Sequence, residues 1–158
     1  TTQEYADFDV FMEEVETNLT EMHELIARLA DIQKVIKGLV GDLGDKEKYS
    51  ALKTEGETIL TNLKAWDEDM IQRKSKAYDD VENFPNKFTA NYMFMMNHAL
   101  SAIPRITQPS IDRRATLDTE WAALKTRAKL MIDKDIPAFN QMLWGSGIGA
   151  VTQTIGEE

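Results

Sequence analysis

The chain has 158 residues, no cysteine, 42% hydrophobic and 28% charged residues, and a net charge of -9. Length and composition fit one soluble globular domain, and the missing thiol excludes disulfides, zinc–thiolate sites, iron–sulfur clusters and cysteine nucleophiles together. The acid is concentrated at the start, where Glu4, Asp7, Asp9, Glu13, Glu14, Glu16, Glu21, Glu24 and Asp31 face the single base Arg28. Such a balance repels phosphate backbones and anionic lipid, so neither nucleic acid nor a membrane surface is an expected partner; otherwise it is a solvated helix face.

Phe8, Phe11, Val15, Leu19, Met22, Leu25, Ile26, Leu29, Ile32, Val35, Ile36 and Leu39 recur at steps of three and four. That pattern predicts a long amphipathic first helix from about Tyr5 to about Leu39, stopping in the glycines Gly38, Gly41 and Gly44. Asp45 is the expected N-cap of a second helix with Tyr49, Leu52, Ile59, Leu60, Leu63, Trp66, Met70 and Ile71 as its apolar positions, and Gly56 as a point of close helix approach. Arg73 to Asn83 is charged and weakly periodic, and a turn is expected from Asn83 to Asn86, because the residue before Pro85 is pushed out of helical geometry.

A third helix is expected to take Pro85 into its first turn, carry Phe88, Tyr92, Met95, Met96, Ala99, Leu100 and Ile103, and end before Pro104. Ser110 is the expected N-cap of a fourth helix with the stripe Ile111, Leu117, Trp121, Leu124, Ala128, Met131, Phe139, Met142 and Leu143, kinked or divided at Pro137. Residues 146–158, with Gly147, Gly149 and Gly156, lack helical period and read as a flexible or extended tail. The expected fold class is all-α: an antiparallel four-helix bundle over residues 1–145, with a long first helix, followed by the tail.

The chemistries that a bundle could house either lack a required residue or have a plainer structural reading. A di-metal carboxylate centre uses Glu-x-x-His pairs, but Thr20 precedes His23 and Met95 precedes His98 at that offset. Haem ligation by His98 with Met93, Met95 or Met96 competes with methionine as core filling. Gly145-Ser146-Gly147 follows a helix and matches no nucleophile elbow. Neighbouring acids such as Asp67, Glu68 and Asp69, or Glu13 and Glu14, point about 100° apart on a helix and are expected to stay in water. Asn18-Leu19-Thr20 matches a glycosylation acceptor but falls within a predicted helix. No catalytic, cofactor-binding or metal-binding residue is assigned. Trp66 and Trp121 lie on apolar stripes, whereas Trp144 stands beside the glycine-rich tail, so Trp144, Ile148 and Val151 are the candidate interface residues.

Ala65-Trp66-Asp67-Glu68, Asp80-Val81-Glu82-Asn83-Phe84-Pro85-Asn86-Lys87, Glu120-Trp121, Thr107-Gln108 and Asp135-Ile136-Pro137-Ala138-Phe139-Asn140 together resemble the C-terminal helical region of bacterial BNR-repeat, sortilin-like proteins, often labelled glycosyl hydrolases. The likeness covers about residues 45–145 and is strongest from Asn83 to Lys87. The tail departs from it, with Gly147-Ile148-Gly149-Ala150-Val151 where the family has Gly-Ile-Pro-Ala-Ile. The resemblance implies a helical domain after a β-propeller in a larger exported protein, periplasmic or extracellular, with any hydrolase activity in the propeller. Beside it, Asn83, Pro85 and Asn86 have the composition of a turn that caps the third helix. The absence of an initiator methionine at Thr1 fits the same expectation of a piece of a longer polypeptide. The expected function is a non-catalytic accessory or interaction domain that packs against its propeller or a partner protein. An oligomerising helical stalk is the alternative.

Overall fold

The computed structural model describes residues 1–74, 84–149 and 151. Among them every regular element is helical, so the expected all-α class holds, and the helical runs are consistent with the expected four-helix bundle. The elements are α1 (Thr2–Leu43), a short 3-10 turn at Glu47–Tyr49, α2 (Ser50–Met70), α3 (Phe88–Leu100), α4 (Gln108–Leu130), a π-helical turn at Met131–Asp135, and α5 (Ile136–Gly145). By contact the chain divides into two compact units, Thr1–Glu24 with Glu68–Ala123 and Leu25–Asp67 with Leu124–Glu158.

The first unit takes the early turns of α1, the last turn of α2, all of α3 and the first two-thirds of α4. Phe8, Phe11, Met12, Val15, Leu19 and Met22 of α1, Phe88, Tyr92, Met95 and Ala99 of α3, and Leu117 and Trp121 of α4 are buried. The rings of Phe88 and Trp121 stack at 6.2 Å between centroids. Buried Thr89 donates its hydroxyl to the Met70 carbonyl at 2.8 Å, occupying one of the carbonyls that the end of α2 leaves without a helical partner.

The second unit takes the later turns of α1, most of α2, the end of α4, the π turn and α5. Its core includes Ile26, Leu29, Ile32, Ile36, Val40 and Leu43 of α1, Leu52, Ile59, Leu63 and Trp66 of α2, and Ile132, Ile136, Phe139 and Leu143. Gly56 is the close approach expected of it: a Cβ built there would lie 2.5 Å from Val40 Cγ2 and 3.3 Å from Phe139 Cζ. Trp66 Nε1 donates to the Leu124 carbonyl at 2.8 Å.

Several boundaries differ from the expectation. Helix α1 does not stop at Leu39 but runs to Leu43, because Val40 and Leu43 continue the buried stripe; the left-handed stop falls at Gly44, with φ of 60°. Val35, expected in that stripe, is exposed. Asp45 does not cap α2. Lys46 precedes the 3-10 turn with no side-chain cap, while Asp45 accepts an ion pair from Lys53 at 2.8 Å. Pro85 and Asn86 lie before α3 rather than in it, and the residue at its N-cap, extended Lys87, makes no side-chain cap bond. The Pro85 carbonyl instead accepts from Gln72 Nε2 at 3.1 Å. The cap of α4 is Thr107, whose hydroxyl receives the Ser110 N–H at 3.4 Å, and Ser110 itself is buried.

Ile111 and Met142, expected in the stripe of the last helix, are exposed, and Ile132 and Ile136 are buried in addition to the residues expected there. Proline at 137 has no N–H to donate one turn back, and its ring crowds the carbonyl four residues earlier. The π turn immediately before it widens the backbone at that point, so helical structure continues from Gln108 to Gly145 without interruption.

The two kinds of helical glycine give opposite expectations. Gly56→Ala should lower stability by about 1 kcal/mol net, since overpacking against Val40 outweighs the helix-propensity gain. Gly38→Ala, in a site with nothing within 4 Å of the added carbon, should raise it by about 0.5–1 kcal/mol. Urea denaturation of both variants measures the difference in sign.

Candidate functional site

In the first unit a connected set of polar side chains joins residues from α1, α3 and α4. Tyr92 is fully buried, and its hydroxyl donates to Asp118 Oδ1 at 2.7 Å. Asn18 Nδ2 donates to the Tyr92 hydroxyl at 2.9 Å and to Asp118 Oδ1 at 3.4 Å. Arg114 donates from Nε to Asp118 Oδ2 at 3.2 Å and from Nη2 to Glu14 Oε2 at 2.7 Å, with its guanidinium 4.8 Å from the centre of the Phe11 ring. A shallow depression at the edge of the cluster is lined by Glu13, Glu14, Thr17, Asn18 and Arg114.

The electrostatics are those of a group that locks elements together. Burial, with a smaller contribution from the Asp118 carboxylate, pushes the Tyr92 phenol up to about 12 against the opposing bond from Asn18, so it stays neutral and serves as a donor. Burial disfavours the charge on Arg114, but its bonds to Glu14 and Asp118 outweigh that and hold it above its ordinary value. Each polar group in the set is matched by another, which fixes the approach of three helices rather than leaving a reactive atom open.

The cluster has no local signature, because Asn18 and Tyr92 are 74 positions apart and Asn18 and Asp118 are 100 apart. The one hint is a half-buried asparagine in an otherwise apolar-and-acidic helical pattern. The same geometry bears on the sequon: Asn18 Nδ2, the atom that would carry a glycan, is bonded to Tyr92 and Asp118.

The other candidates fall as follows. His23 is exposed, and His98 Nδ1 lies 3.2 Å from the hydroxyl of Ser110, which is in turn 3.0 Å from the hydroxyl of Thr107. Met95 is buried and Met93 exposed, so these methionines divide between core and surface. Glu14 pairs with Arg114. Among the described residues no group of three or more His, Asp or Glu is placed to hold a metal ion, and no helix is long and apolar enough to cross a membrane. Asp80, Val81, Glu82 and Asn83, the first half of the strongest resemblance motif, lie outside the described residues.

In the second unit the candidate interface residues separate. Trp144 is 70% exposed at the end of α5, whereas Trp66 is buried, as is Trp121 in the first unit. Gly145-Ser146-Gly147 forms the end of α5: Gly147 has φ of 75° and donates to the Trp144 carbonyl, and Ile148 donates to the Leu143 carbonyl at 2.9 Å, a Schellman closure. Ser146 Oγ donates back to the Met142 carbonyl. Ile148 is half-buried, and Val151 is 2% exposed. Val151 therefore offers no free surface, which corrects the expectation of an open interface there. Asn140, which sequence reasoning passed over within Asp135–Asn140, holds Val151 through both main-chain polar atoms. No family model, curated protein or solved structure matches the chain.

Two measurements follow from the cluster. Tyr92→Phe removes one buried donor and leaves Asp118 and Asn18 short of a partner, so it should cost about 1–3 kcal/mol in denaturant unfolding. The raised phenol value stabilises the folded chain fully below pH 10 and should be lost as pH climbs through about 12, because the unfolded chain gives up that proton first. Stability of the unaltered chain should therefore fall across that window more steeply than stability of Tyr92→Phe.

Proposed function

We propose that the chain is a non-catalytic accessory and interaction domain of a larger, exported BNR-propeller protein. The observation that carries the reading is the contrast between polar and apolar groups. The Tyr92 cluster uses its hydrogen-bonding capacity internally, while Trp144 presents a ring that is 70% exposed at a helix end, and Phe94 one that is 72% exposed on α3. Large exposed aromatic side chains are what docking surfaces use, since they bring much apolar area with little rotamer freedom to lose.

The resemblance residues support a framework likeness rather than shared chemistry. Trp66, Trp121, Ile136 and Phe139 are all buried, which supports a packing role for these four residues of the quoted motifs. For the alternative, an oligomerising stalk, the long α1 is the feature of interest. Buried residues recur along it from Phe8 through to Leu43, and only Tyr5, Val10 and Val35 among its large apolar side chains are exposed, scattered rather than in a row; this supports the accessory-domain reading, since a projecting stalk leaves a continuous apolar seam for a partner copy.

The purified chain should unfold cooperatively, turn over neither aryl glycosides nor peptides, and scatter light as a monomer across micromolar concentrations. Turnover by this chain would overturn the reading, and a concentration-dependent oligomer would favour the stalk. Trp144→Ser should leave stability within about 0.5 kcal/mol, as expected of an exposed side chain outside the core.

A further inference from the structure

Buried Phe88, Tyr92, Met95 and Ala99 form the inner stripe of α3 at steps of four, three and four. Its outer side is apolar as well: Met93 and Leu100, two turns apart, are exposed with Phe94 beside them, and exposed Ile103 follows just past the helix end. A helix that is apolar on both sides is normally enclosed by protein. Exposed Asn97 lies between Met93 and Leu100, and no Asp, Glu, Lys or Arg occurs from Phe88 through Pro104. A second element can therefore lie on this face without stripping water from a charge.

The face also selects the form of what lies on it. Because α3 is a helix, its main-chain groups are bonded along its own length, and it offers side chains rather than a strand edge. A docking segment must then satisfy its own main chain, which selects a helix. Two apolar residues seven apart, with an aromatic ring beside them, match a partner stripe of heptad spacing.

The charge a partner meets here comes from the helix against which α3 packs. Residues 1–24 of α1 carry eight Asp and Glu and no Lys or Arg, and Asn18 in that stretch bonds directly to Tyr92 of α3 at 2.9 Å. Packed helix axes lie about 8–10 Å apart, close to the Debye length of about 8 Å at physiological ionic strength. The field of these acids therefore reaches over the uncharged face. The base that follows the strip, Arg105, is already met by Glu4 at 3.1 Å. In the unit that contains α3, 16 of the chain's 27 acidic residues stand against 7 of its 18 basic ones, so the full net charge of -9 sits here, and the other unit is balanced at 11 of each.

We infer that the outer face of α3 is a docking site for an amphipathic helix of a partner protein flanked by lysine or arginine, with Met93, Phe94 and Leu100 as the apolar contacts. This rests on the reading of the chain as an interaction domain and gives that reading a partner chemistry. A second copy fits the same face poorly, because it would bring another acid-rich α1 to the contact.

The test uses the full chain and three fluorescein-labelled helical peptides of about 14 residues, four turns each, read by anisotropy. One has a leucine stripe with lysine flanks, one the same stripe with glutamate flanks, and one an alanine stripe with lysine flanks. The leucine–lysine peptide should bind, and each of the other two should bind at least about ten-fold more weakly. Replacing Met93→Ser and Phe94→Ser together should weaken the leucine–lysine peptide by at least about ten-fold, while Trp144→Ser leaves it unchanged. No binding of that peptide, equal binding of either control peptide, or indifference to the Met93 and Phe94 replacements overturns the proposal. If circular dichroism shows that the double variant has lost its helices, a photo-crosslinking leucine–lysine peptide is mapped on the unaltered chain by mass spectrometry. Labelling between Met93 and Ile103 supports the proposal, and labelling confined to other segments overturns it. A concentration-dependent dimer that disappears in the double variant would assign the face to a second copy and overturn the partner reading. Failure of peptide binding leaves the wider accessory-domain reading to the turnover measurement, which does not involve α3.

Discussion

The apolar stripe of α1 is the constraint on which the rest of the chain depends. From Phe8 to Leu43 its buried residues follow one another at steps of three and four, close to the heptad spacing of about 3.5 that keeps one face of a helix against its neighbours. Its first half supplies a wall of the Thr1–Glu24 and Glu68–Ala123 unit, and its second half a wall of the Leu25–Asp67 and Leu124–Glu158 unit. Because both cores draw on one helix, the charged residues of α1 are confined to its remaining faces, and the acid of residues 1–24 becomes a surface property.

Within the first unit a polar lock supplements that apolar wall. Hydrophobic burial is non-directional and tolerates small shifts of one helix along another. The bonds from Tyr92 and Asn18 to Asp118, and from Arg114 to Glu14, are directional and admit one register. In the second unit the corresponding specificity comes from shape: Gly56 admits Val40 and Phe139 where any side chain would stand in the way.

Sequence periodicity made the helices legible because burial acts on every third or fourth residue and leaves a regular trace. Helix ends were less legible, since a cap depends on which of several nearby polar residues turns inward. Thr107 and Ser110 are both plausible caps by type, and only the packing that buries Ser110 against His98 decides between them. Asp45 was misread because an ion pair with Lys53 competes with capping. The Tyr92 cluster stayed hidden because its partners are far apart in sequence and make no local pattern. The Asn140 clamp stayed hidden because a lone asparagine in a helix normally signals little, and its meaning comes from the main chain it holds. Trp144 was legible by its place beside glycines, as Trp66 and Trp121 were by their place on apolar stripes.

Helix α3 contains no Asp, Glu, Lys or Arg between Phe88 and Leu100, and Met93, Phe94 and Leu100 are exposed on it. At neutral pH the surrounding negative charge keeps molecules apart, so this uncharged strip is shielded by repulsion from elsewhere on the surface. Near the isoelectric point of about 4.8 that repulsion fades, and the colloidal behaviour of the protein passes to α3, where molecules can adhere without bringing charges together.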